Sequence, residues 1–351
     1  MNKNITFRNF ELTDGTLLPE VKIAYNTYGK LNTDKSNVIW VCHALTGDQN
    51  VHDWWNGLFG KNRVLDPEKY FIICANVLGS SYGSTSPWSN ETPEGLKGKN
   101  FPLITIPDIV QAHQKLADAL EIEQIQLLIG PSLGGQQALQ WAVNTPYKIN
   151  HLCVIAANAY HSPWGIGFNE SQRLAIEADE TFRSNDPKGG KYGLKAARSI
   201  ALLSYRTKAA YDTTQKESCH HKKEGFFASS YQQYQGEKLV KRFCPYNYYS
   251  LTKSMDSHNV GRGFSSIEQA LQRIEAKTLV ISVDSDILFP VDEQTYIAAN
   301  IKSASQEIFS SDYGHDGFLV EFEKVNNSIV NWLKEEKSKS NKKACLTTLK
   351  V

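Results

Sequence analysis

Gly130-Pro131-Ser132-Leu133-Gly134-Gly135 places a serine among small residues in the pattern G-x-S-x-G. The apolar run 125–129 stands directly before it, and a helical pattern follows at once. A strand that turns immediately into a helix leaves room only for small residues beside the turn, and it lifts the serine hydroxyl above the sheet edge. The helix start behind it offers free N–H groups and a partial positive charge. Ser132 is therefore the candidate nucleophile. The five-residue pattern alone recurs by chance; the strand, the helix and the additional Gly135 supply the context it needs.

A serine hydroxyl attacks poorly until a base takes its proton. Where a serine stands on such a turn, the chain order is serine, then acid, then histidine. Of the nine histidines, His151, His161, His220, His221, His258 and His315 lie downstream. Gly314-His315-Asp316-Gly317 follows the strand-like run 306–309, and its glycines allow a close approach to the serine turn. His315 is the expected base. The acid should follow the preceding run, 278–283, where Asp284, Asp286 and Asp292 compete. Asp284 stands at the strand end and suits a turn cap. Asp286 is followed by Ile287-Leu288-Phe289-Pro290, which would bury it against the imidazole and fix the tautomer. Asp286 is preferred.

Charge on the attacked carbonyl needs preorganised N–H donors, worth roughly 3–4 kcal/mol each. Leu133 N–H, just after the nucleophile, is one. The loop His43-Ala44-Leu45-Thr46-Gly47 follows an early strand and makes Leu45 N–H the second. His43 precedes the serine in the chain and is expected to hold this loop, not to act as base.

Apolar runs at 38–42, 70–77, 125–129, 152–156, 278–283 and 306–309 have the length of strands covered on both faces. Ile109, Ala112, Leu116 and Leu120 form a helical stripe opened by Pro107, and 136–143 forms another. A last helix over about 319–337 carries Phe322, Val325, Ile329 and Trp332 on one face. The alternation predicts an α/β architecture, a mostly parallel sheet with helices on both faces. With the serine turn it predicts the α/β-hydrolase fold. The alternation stops near 160 and resumes near 266. Between them lie Tyr205, Tyr211, Tyr231, Tyr234, Tyr246, Tyr248, Tyr249 and helical runs such as 194–205, without a strand of core length. Residues 160–265 thus read as a helical lid inserted in a core of 1–159 and 266–337. Residues 338–351, rich in Lys, Ser and Asn, read as a disordered tail.

The length of 351 residues suffices for one large domain with such an insertion. A net charge of +1 offers no global attraction to nucleic acid or a membrane surface. No run of about 18 apolar residues exists, and Met1-Asn2-Lys3-Asn4-Ile5 lacks a signal-peptide core. A cytoplasmic protein is expected. Cys42, Cys74 and Cys153 sit in strand-like runs and are expected to be reduced and buried. Cys219-His220-His221 has no second ligand pair at a suitable spacing, so neither a metal nor a cofactor is expected.

Longer motifs carry a family resemblance. They are Tyr25-Asn26-Thr27-Tyr28-Gly29-Lys30-Leu31-Asn32, the loop at His43 followed by Trp54-Trp55, Asn76-Val77-Leu78-Gly79 with Gly83-Ser84-Thr85, and Gln137-Ala138-Leu139 with Trp141-Ala142. Ser285-Asp286-Ile287-Leu288-Phe289-Pro290 and Gly314-His315-Asp316-Gly317-Phe318-Leu319 complete the set. Nearly end to end, the chain resembles the homoserine O-acyltransferases of methionine biosynthesis. It departs from them at Pro131, where many members carry glycine, and at Asn259, where aspartate is expected. The resemblance implies ping-pong transfer of an acyl group from acyl-CoA to the hydroxyl of homoserine through acyl-Ser132. Acetyl-CoA is the preferred co-substrate, because a succinyl donor needs a dedicated cation for its extra carboxylate and the sequence singles out none. It implies a lid that shapes a deep tunnel and pairs with a second subunit in a homodimer. It implies that Arg198, in Ala196-Ala197-Arg198-Ser199, binds the acceptor carboxylate and Asp316 its ammonium, one cation and one anion for a zwitterion. Arg206 is the competitor of Arg198. Three alternatives stay open: a succinyl donor served by Arg262 or a lid lysine, a serine acceptor, and an esterase in which water takes the acyl group.

Overall fold

The computed structural model describes residues 3–144 and 148–348. Eight strands form one sheet: β1 (Lys3–Glu11), β2 (Leu17–Tyr28), β3 (Val38–Cys42), β4 (Phe71–Ala75), β5 (Gln124–Pro131), β6 (Lys148–Ile155), β7 (Lys277–Val283) and β8 (Ala304–Phe309). Their order is β1-β2-β4-β3-β5-β6-β7-β8. β2 pairs antiparallel with β1 and with β4. The pairings from β4 through β8 are parallel. Each apolar run singled out in the sequence falls on one of these strands.

The core contributes α1 (Val51–Trp54), α2 (Ile106–Ala119) and α3 (Leu133–Val143) before the insertion. The insertion holds α4 (Pro163–Glu177), α5 (Glu180–Arg183), α6 (Lys191–Tyr205), α7 (Lys208–Thr214), α8 (Phe227–Val240) and α9 (Pro245–Asp256). After it come α10 (Ile267–Gln272), α11 (Val291–Asn300), α12 (Gly317–Val320) and α13 (Phe322–Thr348).

Strand side chains alternate between faces, and the two faces feed two cores. Val38, Trp40 and Cys42 of β3 pack with Ile109 and Leu116 of α2 and with Leu139 and Trp141 of α3. Ile39 and Val41 point the other way and join Trp55, Phe318, Val325 and Ile329. This is why the strands read as continuous apolar runs: both faces are covered by helices. α2 begins as its sequence foretells. Thr105 and Asp108 form a capping box, and Pro107 occupies the first turn.

The insertion leaves the sheet after β6 and returns before β7 through a narrow neck. Tyr160 bridges Asn259, His161 N–H donates to His258 O at 2.9 Å, and Val260 N–H donates to Ala159 O at 3.0 Å. Asn259 also closes its own turn, its Oδ1 accepting Gly261 N–H at 2.8 Å. Within the insertion α6 packs between α4 and α8.

The C-terminal end differs from the expectation in two ways. The expected last helix is two, with a break at Glu321 between α12 and α13. α13 then continues to Thr348, where composition argues for a disordered tail from 338. Lys, Glu and Ala favour helix, and a Lys339–Glu336 pair at 2.7 Å adds a turn-to-turn contact. Anchored by Val325, Ile329 and Trp332, the helix propagates outward more cheaply than it could nucleate. Residues 349–351 of the expected tail lie outside the described residues. No helix among the described residues is long and apolar enough to cross a membrane.

Candidate active site

β3 lies between β4 and β5, so the chain crosses in opposite directions on its two sides, and the crevice at the strand ends there is where open α/β sheets hold ligands. Ser132 stands at the end of β5 with φ 56° and ψ −125°. Such a backbone is strained for a side-chain-bearing residue. It is held by Ser132 N–H donating to Ile155 O at 2.9 Å and by Ser132 O accepting from Gly135 N–H at 2.8 Å. A β-carbon on Gly130 would fall 2.1 Å from Gly134 O, and one on Gly134 would fall 2.1 Å from Cys42 O. The glycines thus let the start of α3 press against the end of β3.

His315 lies in a short 3-10 turn, Gly314–Asp316, after β8. Its Nε2 is 2.9 Å from Ser132 Oγ, and its Nδ1 is 2.7 Å from Asp286 Oδ2. All three side chains are buried. An ionised carboxylate only accepts, so Nδ1 carries the proton and Nε2 is left to accept from the serine hydroxyl. Asp286 Oδ1 accepts from Leu288 N–H at 2.9 Å and Phe289 N–H at 3.0 Å, which fixes the carboxylate. Asp284 instead accepts from Ser311 N–H at 3.1 Å, and Asp292 sits in the first turn of α11. Rings surround the imidazole. Phe289 stacks on it at 5.1 Å, Phe318 meets it edge-on at 5.3 Å, and Tyr205 of α6 lies at 5.7 Å.

The other downstream histidines lie elsewhere. His161 and His258 are buried at the neck, where burial pushes them down to about 4 and about 3 and keeps them neutral. His151 packs edge-on against Trp332 at 5.3 Å, and His220 and His221 are exposed. Among the described residues no group of three His, Cys, Asp or Glu could hold a metal ion.

Leu133 N–H and Leu45 N–H donate to no backbone carbonyl among the described residues. The Leu45 loop is fixed from below by His43. Its Nε2 accepts from Val77 N–H at 2.9 Å, so its Nδ1 donates to Ala44 O at 2.8 Å. Gln137 Nε2 donates to His43 O at 3.1 Å, tying the loop to α3. Burial, the largest influence, lowers the His43 pKa and keeps the ring neutral.

Arg198 lies on α6 with its guanidinium 5.3 Å from the Tyr205 ring. It has no ion pair among the described residues. It therefore stands one ring away from His315. Asp316, next to His315 in the chain, is already engaged, because Arg206 Nε donates to its Oδ2 at 2.5 Å. Arg206 is thus the partner of Asp316 and not a free competitor of Arg198. Thr207 Oγ1 also donates to Asp312 O, so the end of α6 is fastened to the turn that carries His315.

A family model described as alpha/beta hydrolase fold matches residues 37–322. The homoserine O-acetyltransferase of Cyclobacterium marinum is 48% identical over 315 residues, covering 90% of each chain. The chain belongs to the homoserine O-acetyltransferase family. The crystal structure of homoserine O-acetyltransferase from Bacillus anthracis shares the fold, with a TM-score of 0.87 at 23% identity over 95% of this chain and 97% of that one. The acetyl esterase MekB gives a TM-score of 0.84 at 26% identity, over 95% and 97%.

For a member of the homoserine O-acetyltransferase family, the motifs at Ser132, Asp286 and His315 mark the three side chains that the structure joins. Tyr205, Phe318 and the Arg206–Asp316 pair escape the sequence reading. Phe318 stands inside the His315 motif, and its contact with the imidazole could have been read from that nearness. Tyr205 and Arg206 belong to the insertion, and nothing local shows that α6 ends against a turn more than a hundred residues later.

Proposed function

We propose that this chain, an acyltransferase, moves an acetyl group from acetyl-CoA to the hydroxyl of L-homoserine by a ping-pong route through acetyl-Ser132. The observation that carries the reading is the hydrogen-bonded relay Ser132–His315–Asp286 in a chain 48% identical to a homoserine O-acetyltransferase.

His315 Nε2 takes the Ser132 proton as Oγ attacks the thioester carbonyl. The oxyanion forms between Leu133 N–H and Leu45 N–H. Asp286 stabilises the imidazolium and keeps its orientation. Collapse breaks the carbon–sulfur bond, and His315 returns its proton to the departing CoA thiolate. The homoserine hydroxyl then gives its proton to His315 and attacks the acetyl-serine. Ser132 leaves with that proton, and the product is O-acetylhomoserine. Arg198, which has no ion pair among the described residues, receives the acceptor carboxylate. Asp316 offers its remaining oxygen to the ammonium. The rings of Phe289, Phe318 and Tyr205 limit water around His315, which favours an alcohol over water as acceptor.

The product suits methionine biosynthesis, in the cytoplasm. Exposed apolar side chains on the insertion (Trp164, Leu174, Tyr192 and Leu203) suit contact with a second copy of this chain. A second reading, an acetyl esterase, draws on the likeness to MekB, since water could take the acyl group from the same serine. The deciding experiment measures CoA release from acetyl-CoA and succinyl-CoA, each with homoserine, serine or no acceptor. Acetyl-CoA with homoserine should be fastest. Hydrolysis as fast as transfer at saturating homoserine would establish the esterase instead.

A further inference from the structure

Tyr211 is one of several buried polar groups left without a partner among the described residues, and it stands in α7, within electrostatic reach of the Arg206–Asp316 pair. Its hydroxyl is buried and has no hydrogen-bond partner among the described residues. Buried hydroxyls are nearly always paired, so an orphan at a binding site points to a partner that arrives with the ligand. A phenylalanine would fill the same space without stranding an oxygen.

The placement of Tyr211 is specific. α7 starts directly behind Arg206, and Thr207 both caps α7 and bonds the His315 turn at Asp312. The Tyr211 ring meets Tyr231 of α8 edge-on at 5.9 Å, which fixes its direction. Arg206, Asp316 and Arg198 all act electrostatically on the phenol, and burial, the largest influence, pushes it up to about 12. The phenol is therefore protonated at neutral pH and able to donate. Of the three charges around it, Arg206 and Asp316 neutralise one another at 2.5 Å. Arg198 remains uncompensated. The local surplus is one positive charge within electrostatic reach of one buried O–H donor, a combination that fits an anion.

We propose that Tyr211 Oη, together with Arg198, holds the α-carboxylate of the acceptor amino acid. This rests on the reading of homoserine as acceptor and extends it by naming the second donor to the carboxylate. Arg198 supplies charge, and Tyr211 supplies direction. The Arg206–Asp316 pair keeps the second cation from competing for the same anion.

The test is Tyr211→Phe, which preserves volume and ring contacts. Three acceptors are compared: homoserine, 4-hydroxybutanoate (no ammonium) and 3-aminopropan-1-ol (no carboxylate). The variant should lose about tenfold in kcat/KM with homoserine and with 4-hydroxybutanoate, as expected for one hydrogen bond to a charged group. It should be unchanged with 3-aminopropan-1-ol and in acetylation of Ser132 by acetyl-CoA alone. Its Tm should be equal or higher, since an unpaired buried hydroxyl is removed. Unchanged kcat/KM with homoserine overturns the proposal, and so does an equal loss with all three acceptors. If the unaltered enzyme does not acetylate homoserine, the acceptor reading itself falls and this inference with it.

Discussion

Nε2 of His315 lies 2.9 Å from Oγ of Ser132, although 183 positions separate them in the chain. In the proposed cycle that contact activates the serine for attack, and the proposal predicts a covalent intermediate. Incubation with acetyl-CoA in the absence of acceptor should leave one acetyl group on the peptide carrying Ser132, read by mass spectrometry. Ser132→Ala should leave no such adduct and no turnover. Substantial activity in that variant would falsify the assignment.

Asp286 is the carboxylate on His315 Nδ1, at 2.7 Å, and it is fully enclosed. Asp286→Asn keeps the shape and misdirects the tautomer, so the rate should fall by roughly 10⁴ while the Tm holds. Asp284→Asn and Asp292→Asn should cost no more than a few-fold, since neither carboxylate reaches His315. A reversed order of severity would move the acid role elsewhere.

Arg198 touches the acceptor and not the donor in the proposed cycle. Arg198→Ala should therefore raise KM for homoserine by about tenfold or more, with acetylation of Ser132 by acetyl-CoA nearly unchanged. A stopped-flow comparison of the two half-reactions checks this. Equal damage to both would place Arg198 in the structure of the lid and not in the acceptor site.

Gly134 has no room for a β-carbon, since Cys42 O would lie 2.1 Å away. Gly134→Ala must push α3 from β3, and with it the Leu45 loop from Leu133. A loss of roughly 3 kcal/mol in urea unfolding is expected, together with a slower acylation step. A variant with unchanged stability would show that the elbow can shift at little cost.

His113, His161 and His258 are buried, and burial lowers them to about 3, about 4 and about 3. In the unfolded chain each titrates near 6.5. The unfolded state therefore binds more protons as pH falls below about 6.5, and stability drops with it. Above that value the contribution is complete. Each histidine adds a slope of about 1.4 kcal/mol per pH unit between its two pKa values. Urea midpoints from pH 7 to pH 4.5 should fall steeply, and His113→Phe should flatten the curve. A flat profile for the unaltered chain would show that these rings are protonated in the fold.

The sheet and its covering helices were legible because their signals are local. A buried strand is a short apolar run wherever it pairs, and the Thr105–Asp108 box and the Ser132 turn each occupy a few adjacent residues. The end of α13 was misjudged because composition averages over a segment, whereas a helix already anchored at Trp332 needs only modest propensity to continue.

The amino-acid sequence by itself determined the strand–helix alternation, the small residues around Ser132, and the chain order that singled out Asp286 and His315. These depend on covalent neighbours and on the rules of one local turn. Only the tertiary structure decided that Asp316 is held by Arg206, that Tyr205 closes on His315, and that the Tyr211 hydroxyl is left without a partner among the described residues. Those contacts form where the end of α6 and the start of α7 meet the turn after β8. No periodicity records that meeting, because it depends on how an inserted set of helices packs back over the sheet.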